Sequence, residues 1–170
     1  MSGAQFRVAR LESGHSRSAF CSGSEPLDRY FKQQVTQDIR RRVTACYIVL
    51  TNDQQIAGYY TLASASMLLS DLPMALVKKL PRYPTVPAIR MGRLAVDKAF
   101  HGLGLGAALL ADALARSIRS DIAAYALLVD AKDESAEAFY RHHGFIKFPS
   151  QALNLFLPLA TVTGLEPQRP

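Results

Sequence analysis

The stretch "GRLAVDKAFHGLGLGAALLADAL", residues 92–114, constrains the fold more than any other part of the sequence. An apolar, strand-like run leads into a cluster of glycines, and a helix-like pattern follows. Glycines at such a junction bring backbone N–H groups close to a ligand, and the N-terminus of the following helix favours negative charge. We therefore expect a strand–turn–helix unit that holds an anion.

The patterns in the rest of the chain predict one α/β domain. A chain of 170 residues buries one sizeable core but is too short for two full domains. Strands and helices alternate along it, which favours a sheet covered by helices. Strands are predicted at residues 6–11, 45–51, 56–66, 88–97, 123–131, 144–148 and 153–159, helices at 25–43, 106–120 and 135–144, and a short helix with a proline-stiffened loop at 68–88. We expect the domain to cover residues 1–162 and a polar tail to cover 163–170.

A long amphipathic helix is predicted near the N-terminus. Its apolar stripe repeats every four residues and consists of Leu27, Phe31, Val35, Ile39 and Val43, with Tyr30 beside it. Ser24 is a suitable N-cap, and Pro26 is tolerated in the first helical turn. Three arginines close the helix, where they suit the helix dipole and are also available to a partner.

The net charge of +6 lies entirely in the front part of the chain. Residues 1–97 contain 13 Lys and Arg against 7 Asp and Glu, whereas residues 98–170 contain 7 of each kind. This asymmetry favours an anionic partner such as nucleic acid, although a modest excess of charge also serves solubility.

The composition argues against several classes of protein. No apolar run reaches the roughly 18 residues that a membrane span needs, and the N-terminus does not resemble a signal peptide. The two cysteines, Cys21 and Cys46, make neither a disulfide framework nor a metal-binding spacing. We therefore expect a soluble, cytoplasmic protein without a metal.

The glycine cluster is compatible with more than one role. Gly102, Gly104 and Ala107 formally satisfy a dinucleotide fingerprint, with Asp130 as the ribose-binding acid. Four residues separate the strand from the first glycine, however, and only about 60 residues follow the cluster, too few for a second nucleotide-binding half. No Gly-Lys-Ser/Thr sequence occurs, which excludes a Walker loop. A packing role and a pyrophosphate-binding loop remain open at this point.

Two segments resemble motifs of the GNAT family of N-acetyltransferases. "HGLGLGAALL" is similar to the coenzyme A pyrophosphate loop, Gln/Arg-x-x-Gly-x-Gly/Ala, with His101 where Gln or Arg is usual. "DESAEAFYRHHGF" resembles Asn-x-x-Ala-x-x-x-Tyr-x-x-x-Gly-Phe, with Asp133 in place of Asn and matches at Ala136, Tyr140, Gly144 and Phe145. The resemblance implies a single-domain GNAT fold, in which helices cover both faces of a mixed, mostly antiparallel sheet.

A narrower resemblance covers roughly residues 6–162. The segments "SGSEPLDRYFKQQVTQDIRRR", "LPRYPTVPAIRMGRLAVD" and "LNLFLPLATV" look like those of GNAT toxins from bacterial type II toxin–antitoxin modules. That family implies acetyl transfer from acetyl-CoA to the α-amino group of aminoacyl-tRNA, which blocks translation. It also implies neutralisation by a ribbon-helix-helix antitoxin, and we expect a homodimer as well.

The resemblance assigns roles to individual residues. Tyr140 is the expected general acid, whose phenol donates a proton to the departing thiolate. Residues expected to contact coenzyme A are Leu94, Ala95, Val96, His101, Gly102, Leu103, Gly104, Leu105, Gly106, Ala107, Asp133 and Ser135. Leu94 and Val96 offer strand N–H groups that polarise the thioester carbonyl. The excess positive charge of the front part would meet the phosphates of an RNA acceptor, and the basic residues expected to contact RNA are Arg40, Arg41, Lys78, Arg82, Arg90 and Arg93.

The absence of a catalytic base on the predicted strand helps to identify the acetyl acceptor. A lysine amine needs a base at neutral pH, whereas an α-amine has a pKa near 7.7–8, which the ester of an aminoacyl-tRNA lowers further. The strand at 88–97 supplies no carboxylate before Asp97, which favours an amine that is already neutral. The alternatives are a GNAT enzyme acting on a small amine or a protein N-terminus, and a module that binds coenzyme A or RNA without turnover.

Overall fold

A computed structural model describes residues 5–162 and contains one mixed sheet of seven strands, in the order β1–β2–β3–β4–β5–β7–β6. The strands are β1 (Arg7–Arg10), β2 (Ala45–Leu50), β3 (Ile56–Leu68), β4 (Thr85–Val96), β5 (Ala126–Asp130), β6 (Ile146–Lys147) and β7 (Asn154–Pro158). β1 pairs antiparallel with β2, β2 with β3, β5 with β7 and β6 with β7, whereas β4 and β5 are parallel. The predicted α/β class with a mixed, mostly antiparallel sheet is confirmed. The tail predicted at 163–170 lies outside the described residues.

The helices fall close to the predicted positions. They are α1 (Glu25–Arg29), α2 (Val35–Arg40), α3 (Met74–Val77), α4 (Leu105–Arg119) and α5 (Glu134–His142). A π-helical turn at Tyr30–Gln34 separates α1 from α2. No helix within residues 5–162 is long and apolar enough to cross a membrane.

The prediction of one unbroken helix at 25–43 is wrong in two respects. The apolar residues recur every four positions, whereas an α-helix has 3.6 residues per turn. The wider π turn makes up part of this difference. Phe31 and Val35 are fully buried as predicted, but α2 ends at Arg40 and Arg42 takes a left-handed φ of 60°. Val43 therefore leaves the stripe and is 57% exposed. The Ser24 side chain makes no capping hydrogen bond, although Pro26 does lie in the first turn.

The chain divides into two compact units. The first comprises Met1–Ala63 and Arg93–Ala113, and the second comprises Ser64–Gly92 and Leu114–Pro170. Each unit has its own buried apolar cluster. The first contains the glycine turn and most of α4, and the second contains α5.

In the first unit, helices cover both faces of the sheet. Ile48 of β2 belongs to the apolar cluster that includes Phe31 from the π turn. Because side chains alternate along a strand, the neighbouring Val49 points to the opposite face. A Cβ atom built on Gly58 would lie 3.3 Å from Val49 and 3.0 Å from Leu109 of α4, so α4 covers that opposite face.

In the second unit, the buried cluster is built on the parallel pair β4 and β5 and on β7. Ala88, Ala126 and Leu128 pack with Phe156, whose ring lies 4.8 Å from that of Phe148. β5 is almost fully buried, as its continuous apolar sequence predicts. This buried strand ends at Asp130, directly before the segment that leads to α5.

Candidate active site

Asp97 fixes the path of the chain as it leaves β4. Its buried carboxylate accepts hydrogen bonds of 2.9 Å from the backbone N–H groups of Ala99 and Cys21. The Lys98 N–H donates a bond of 2.8 Å to the Cys21 carbonyl. These three bonds hold a short 3₁₀ turn at Lys98–Phe100 that delivers the chain to the glycines. Asp97 is thus occupied as a structural acceptor, consistent with the absence of a catalytic base on this strand.

His101 is held by the strand that precedes the turn. Its ring Nε2 lies 2.8 Å from the carbonyl oxygen of Val96, and since a carbonyl only accepts, Nε2 carries the hydrogen. The side chain that occupies the family's Gln/Arg position therefore ties the turn to the end of β4. Its predicted contact with coenzyme A stays a prediction.

The glycine turn has the geometry of an anion cradle. Gly102 and Gly104 both take a φ of +79°, a left-handed conformation that side chains rarely adopt, and a Cβ on either would point into open space. The first helical hydrogen bond runs 3.1 Å from the Ala108 N–H to the Gly104 carbonyl. The N–H groups of residues 105–107 precede that bond, so α4 directs its first donors and the positive end of its dipole at the turn. The chain therefore fits a bound diphosphate at this point.

The last residues of β4 alternate between the two faces of the sheet. Ala95 is buried with the apolar cluster of the first unit, and its carbonyl would lie 2.9 Å from a Cβ on Gly58. Leu94 and Val96 are only partly buried. This close approach to Gly58 fixes the strand whose N–H groups are the predicted donors to the thioester.

Helix α5 carries the second motif. Asp133 is its N-cap, and the carboxylate accepts a bond of 2.8 Å from the Ala136 N–H. The side chain in the family's Asn position thus serves the helix itself, which is the usual role of Asp at an N-cap. Ser135 is exposed in the first turn. Both predicted contacts with coenzyme A stay predictions.

Tyr140 lies on α5 with its ring buried and its hydroxyl available. The ring packs against Phe139 and Phe145, at centroid distances of 5.3 and 5.5 Å. No buried side-chain nitrogen or oxygen lacks a hydrogen-bond partner within residues 5–162, and no hydrogen bond there engages this hydroxyl, so its oxygen reaches the surface. Burial, and then the charge of Asp130, raise the pKa of Tyr140 well above that of an ordinary phenol. The hydroxyl therefore keeps its proton throughout the physiological range.

The domain type can now be identified. The family described as an acetyltransferase (GNAT) domain matches residues 19–154. The chain belongs to the GNAT acetyltransferases. The prediction of an acetyl-CoA-dependent N-acetyltransferase is confirmed at the level of this family.

One related sequence and two structures of a second relative, AtaT, define what this GNAT protein is similar to. A tRNA-acetylating toxin of Mycobacterium tuberculosis is 33% identical over 150 residues, which cover 87% of this chain and 89% of the relative. The structure of AtaT complexed with acetyl-methionyl-tRNAfMet has a TM-score of 0.83, is 28% identical, and covers 92% of this chain and 96% of that one. A tyrosine-to-phenylalanine variant of AtaT, bound to the C-terminus of the antitoxin AtaR and acetyl-CoA, has a TM-score of 0.77 at 25% identity, with coverages of 92% and 94%.

Arg90 of this acetyltransferase has an acidic partner. Its guanidinium forms an ion pair with the carboxylate of Asp130, and both side chains are about half exposed. The pair lines a cleft of about 200 Å³, together with Met67, Leu128 and Phe148 among others. Asp130 therefore acts both on Arg90 and, through its charge, on the pKa of Tyr140.

The other predicted RNA contacts differ in their surroundings. Arg40, Arg41, Lys78 and Arg82 are exposed. Arg93 is half-buried, and its guanidinium carbon lies 3.3 Å from the centroid of the Tyr30 ring. The first unit contains Arg40, Arg41 and Arg93, and the second contains Lys78, Arg82 and Arg90.

Sequence reasoning missed the roles of Tyr30 and Asp38. The Tyr30 hydroxyl donates a bond of 2.8 Å to the Asp38 carboxylate, which also accepts one of 3.0 Å from the Gln34 amide. A spacing of four residues at Gln34–Asp38 and of eight at Tyr30–Asp38 places all three side chains on one face of a helix. This spacing is visible in the sequence, but the prediction of the helix was based only on its apolar residues.

Proposed function

We propose that this acetyltransferase transfers the acetyl group of acetyl-CoA to the α-amino group of an aminoacyl-tRNA. An acetylated amine cannot accept a growing peptide, so the product blocks translation. The observation that carries the proposal is the 33% identity to a tRNA-acetylating toxin over 87% of this chain. The likeness to AtaT, whose structure contains acetyl-methionyl-tRNAfMet, supports the same acceptor.

Acetyl-CoA supplies a thioester that an amine attacks, and the glycine turn is the proposed site for its diphosphate. The left-handed Gly102 and Gly104 leave the outer side of the turn clear. The amides of residues 105–107 donate from the start of α4, where the helix dipole favours an anion. The backbone provides these donors, so His101 is free to brace the turn through the Val96 carbonyl.

Tyr140 is the proposed proton donor. When the amine attacks, a nitrogen–carbon bond forms and the carbon–sulfur bond breaks, so the nitrogen loses one proton and the sulfur gains one. A phenol with a raised pKa stays protonated until the sulfur develops negative charge. It then donates to the sulfur and recovers the proton that the nitrogen releases. The strand N–H groups of Leu94 and Val96 are the proposed donors to the carbonyl oxygen.

The acceptor fits the absence of a free carboxylate on β4. Each oxygen of the Asp97 carboxylate accepts a backbone N–H bond, which favours a structural role over that of a base for a lysine amine. The α-amine of an aminoacyl ester is largely neutral at physiological pH and needs no such base. The basic side chains of β4, α2 and the segment around Lys78 are proposed to bind the phosphates of the acceptor stem.

We further propose that the protein is a toxin held inactive by an antitoxin in the cytoplasm. The structure of the AtaT variant bound to the C-terminus of the antitoxin AtaR supports a partner of the same kind here. Aminoacyl-tRNA is consumed in the cytoplasm, which supports that location. The homodimer expected from the resemblance stays a prediction.

A direct assay tests the acceptor. Purified protein is incubated with labelled acetyl-CoA and, in parallel, with aminoacyl-tRNA, uncharged tRNA, polyamines and peptides with free N-termini. We expect label only on the aminoacyl-tRNA, and sequencing of the labelled tRNAs then identifies the species chosen. Label on polyamines or peptides but not on charged tRNA would favour the alternative enzyme class and contradict the proposal.

A second assay tests the proton donor. The Tyr140→Phe variant is expected to lower kcat by about 10²–10⁴-fold, the usual contribution of a general acid. Its affinity for acetyl-CoA should remain unchanged. Tyr83→Phe is the matched control, since Tyr83 is exposed in the loop before β4 and has no proposed role. Unchanged turnover in Tyr140→Phe would remove Tyr140 from the mechanism.

A further inference from the structure

The two arginines of β4, Arg90 and Arg93, have different interaction partners. Arg90 forms an ion pair with Asp130, whereas no carboxylate lies within 4 Å of the Arg93 guanidinium among residues 5–162. Arg93 instead stacks on the Tyr30 ring, with 3.3 Å between the guanidinium carbon and the ring centroid. An aromatic face holds a cation without neutralising it, so the full charge of Arg93 remains available to an anion.

The Tyr30 ring is held rigidly under Arg93. Tyr30 is 8% exposed and belongs to the buried cluster of the first unit. It begins the π-helical turn, a distortion that recurs at functional sites because it redirects side chains. Its hydroxyl is tied to Asp38 at 2.8 Å. Burial and the bond to Asp38 both raise the pKa of Tyr30, so the ring stays neutral.

The same hydroxyl occupies the carboxylate that would otherwise compete for Arg93. Tyr30 bonds one oxygen of Asp38, and the Gln34 amide bonds the other at 3.0 Å. Asp38 is close enough to Arg93 that the guanidinium helps to lower the pKa of the carboxyl group, after the two hydrogen bonds. The two groups nevertheless form no ion pair. Tyr30 therefore supports the Arg93 guanidinium with its ring. Its hydroxyl bonds the Asp38 carboxylate, which would otherwise pair with Arg93.

We propose that Tyr30 is a positioning residue that presents an unpaired Arg93 to a phosphate at the acceptor end of the RNA. This inference rests on the proposed function, because it assumes an RNA acceptor. The charged group that meets the phosphate is Arg93, and Tyr30 acts only through it. Without the hydrogen bond from Tyr30, the carboxylate of Asp38 would pair with Arg93 and reduce the charge available to the phosphate.

The test separates the two roles of Tyr30 in steady-state assays on aminoacyl-tRNA. Tyr30→Leu removes the ring and also frees Asp38, so it should raise KM by more than tenfold, because loss of a partly desolvated cation–π contact alone accounts for about tenfold. Tyr30→Phe keeps the ring but frees Asp38 to pair with Arg93, and should raise KM about threefold, within the range of a surface ion pair. Adding Asp38→Asn to Tyr30→Phe should restore KM, whereas adding it to Tyr30→Leu should remove only the part of the loss that the freed Asp38 causes and leave the loss of the ring. In every variant kcat and acetyl-CoA affinity should stay close to those of the wild type.

Salt dependence supplies a second readout. Arg93→Gln should reduce the slope of log(kcat/KM) against log salt by about 0.7, the value for one phosphate contact on a single strand. Arg119→Gln, an exposed charge at the end of α4, is the control and should leave the slope unchanged.

Tyr59→Phe is the control for the loss of a buried hydroxyl in Tyr30→Phe, because the Tyr59 hydroxyl bonds the Leu27 carbonyl and not Asp38.

The outcomes are distinct. A wild-type protein that does not acetylate aminoacyl-tRNA defeats the proposed function before any variant is compared. If the wild type is active but Asp38→Asn does not restore the KM of Tyr30→Phe, the inference is overturned. It is also overturned if the Tyr30 variants lose kcat and acetyl-CoA affinity as much as KM rises, because Tyr30 would then have only a structural role. Should Tyr30→Leu not fold, the comparison of Tyr30→Phe with its Asp38→Asn double variant still decides the question.

Discussion

The carboxylate of Asp97 accepts a hydrogen bond of 2.9 Å from the backbone N–H of Cys21, 76 residues earlier in the chain. The Lys98 N–H returns a bond of 2.8 Å to the Cys21 carbonyl. Together they tie the segment before α1 to the turn that precedes the glycines. The approach to the proposed diphosphate site is therefore braced by a contact between two distant parts of the sequence.

Loss of the Asp97 carboxylate should destabilise the protein. Asp97→Ala leaves the N–H groups of Cys21 and Ala99 without their acceptor in a buried setting, and we expect a loss of about 3 kcal/mol in the free energy of unfolding. Urea denaturation measures it. Asp53→Ala, in the exposed turn between β2 and β3, is the control and should change stability by less than about 0.5 kcal/mol. A comparable stability for the two variants would contradict the bracing role.

Adding a side chain to the glycine turn should weaken acetyl-CoA binding. Gly104→Ala forces a left-handed φ of +79° on a residue with a Cβ, at a cost of about 1–2 kcal/mol. If the chain relaxes, the amides at the start of α4 move, and we expect a loss of about tenfold in affinity by calorimetry. Gly14→Ala is the control, because Gly14 has open space around it and no left-handed backbone. Equal affinity in the two variants would show that the conformation of the turn does not matter for binding.

A packing variant tests the support beneath β4. A Cβ on Gly58 would lie 2.9 Å from the Ala95 carbonyl oxygen and 3.0 Å from Leu109. Since a backbone oxygen cannot move aside like the end of a side chain, Gly58→Ala should destabilise the protein by about 1–3 kcal/mol. The melting temperature measured by circular dichroism reports this change. A neutral or stabilising effect would mean that the strand and α4 are packed more loosely than the structure shows.

The pH dependence of turnover should show one rising limb and a late fall. The rate rises as the α-ammonium group of the acceptor loses its proton near or below pH 8. The proton donor is active while protonated, and because the pKa of Tyr140 is raised, the fall at alkaline pH should come later than for an ordinary phenol. Asp130→Asn removes a negative charge that raises this pKa, so its fall should begin at lower pH.

Arg90→Gln separates the charge of Asp130 from its ion pair. This variant breaks the same pair but leaves the carboxylate, so the alkaline limb should not move to lower pH. Profiles of kcat against pH for both variants provide the measurement. A shift of equal size in the two would assign the effect to the ion pair rather than to the field of Asp130 on Tyr140.

Much of the fold was predictable because local patterns and burial agree. The helix predicted at 106–120 is present as α4 and buries Leu109, Leu110, Ala113 and Leu114, and β5 is the buried strand that its apolar run indicates. The long N-terminal helix was predicted less well. Its stripe is real at Phe31 and Val35, but no local pattern announces that a left-handed Arg42 ends the helix before Val43.

The candidate site divides in the same way. The glycine turn was predicted from local turn chemistry and Tyr140 from its place in the motif that resembles the GNAT family, and the roles of both stay predictions. Asp133 was assigned to coenzyme A, yet the structure also explains it as an N-cap through its bond to Ala136. The six basic residues proposed for RNA were indistinguishable by charge alone, whereas the structure separates Arg90, paired with Asp130, from Arg93, stacked on Tyr30.

The sequence by itself determined the strand–turn–helix unit around the glycines, because backbone freedom at Gly102 and Gly104 and the apolar periodicity of α4 are written in neighbouring residues. Only the tertiary structure decided which charges are free. Whether an arginine meets a carboxylate or an aromatic face depends on segments brought together from tens of residues away, as β4 is with β5 and with the π turn. Electrostatic partners are set by distance in space, and the order of residues along the chain does not specify that distance.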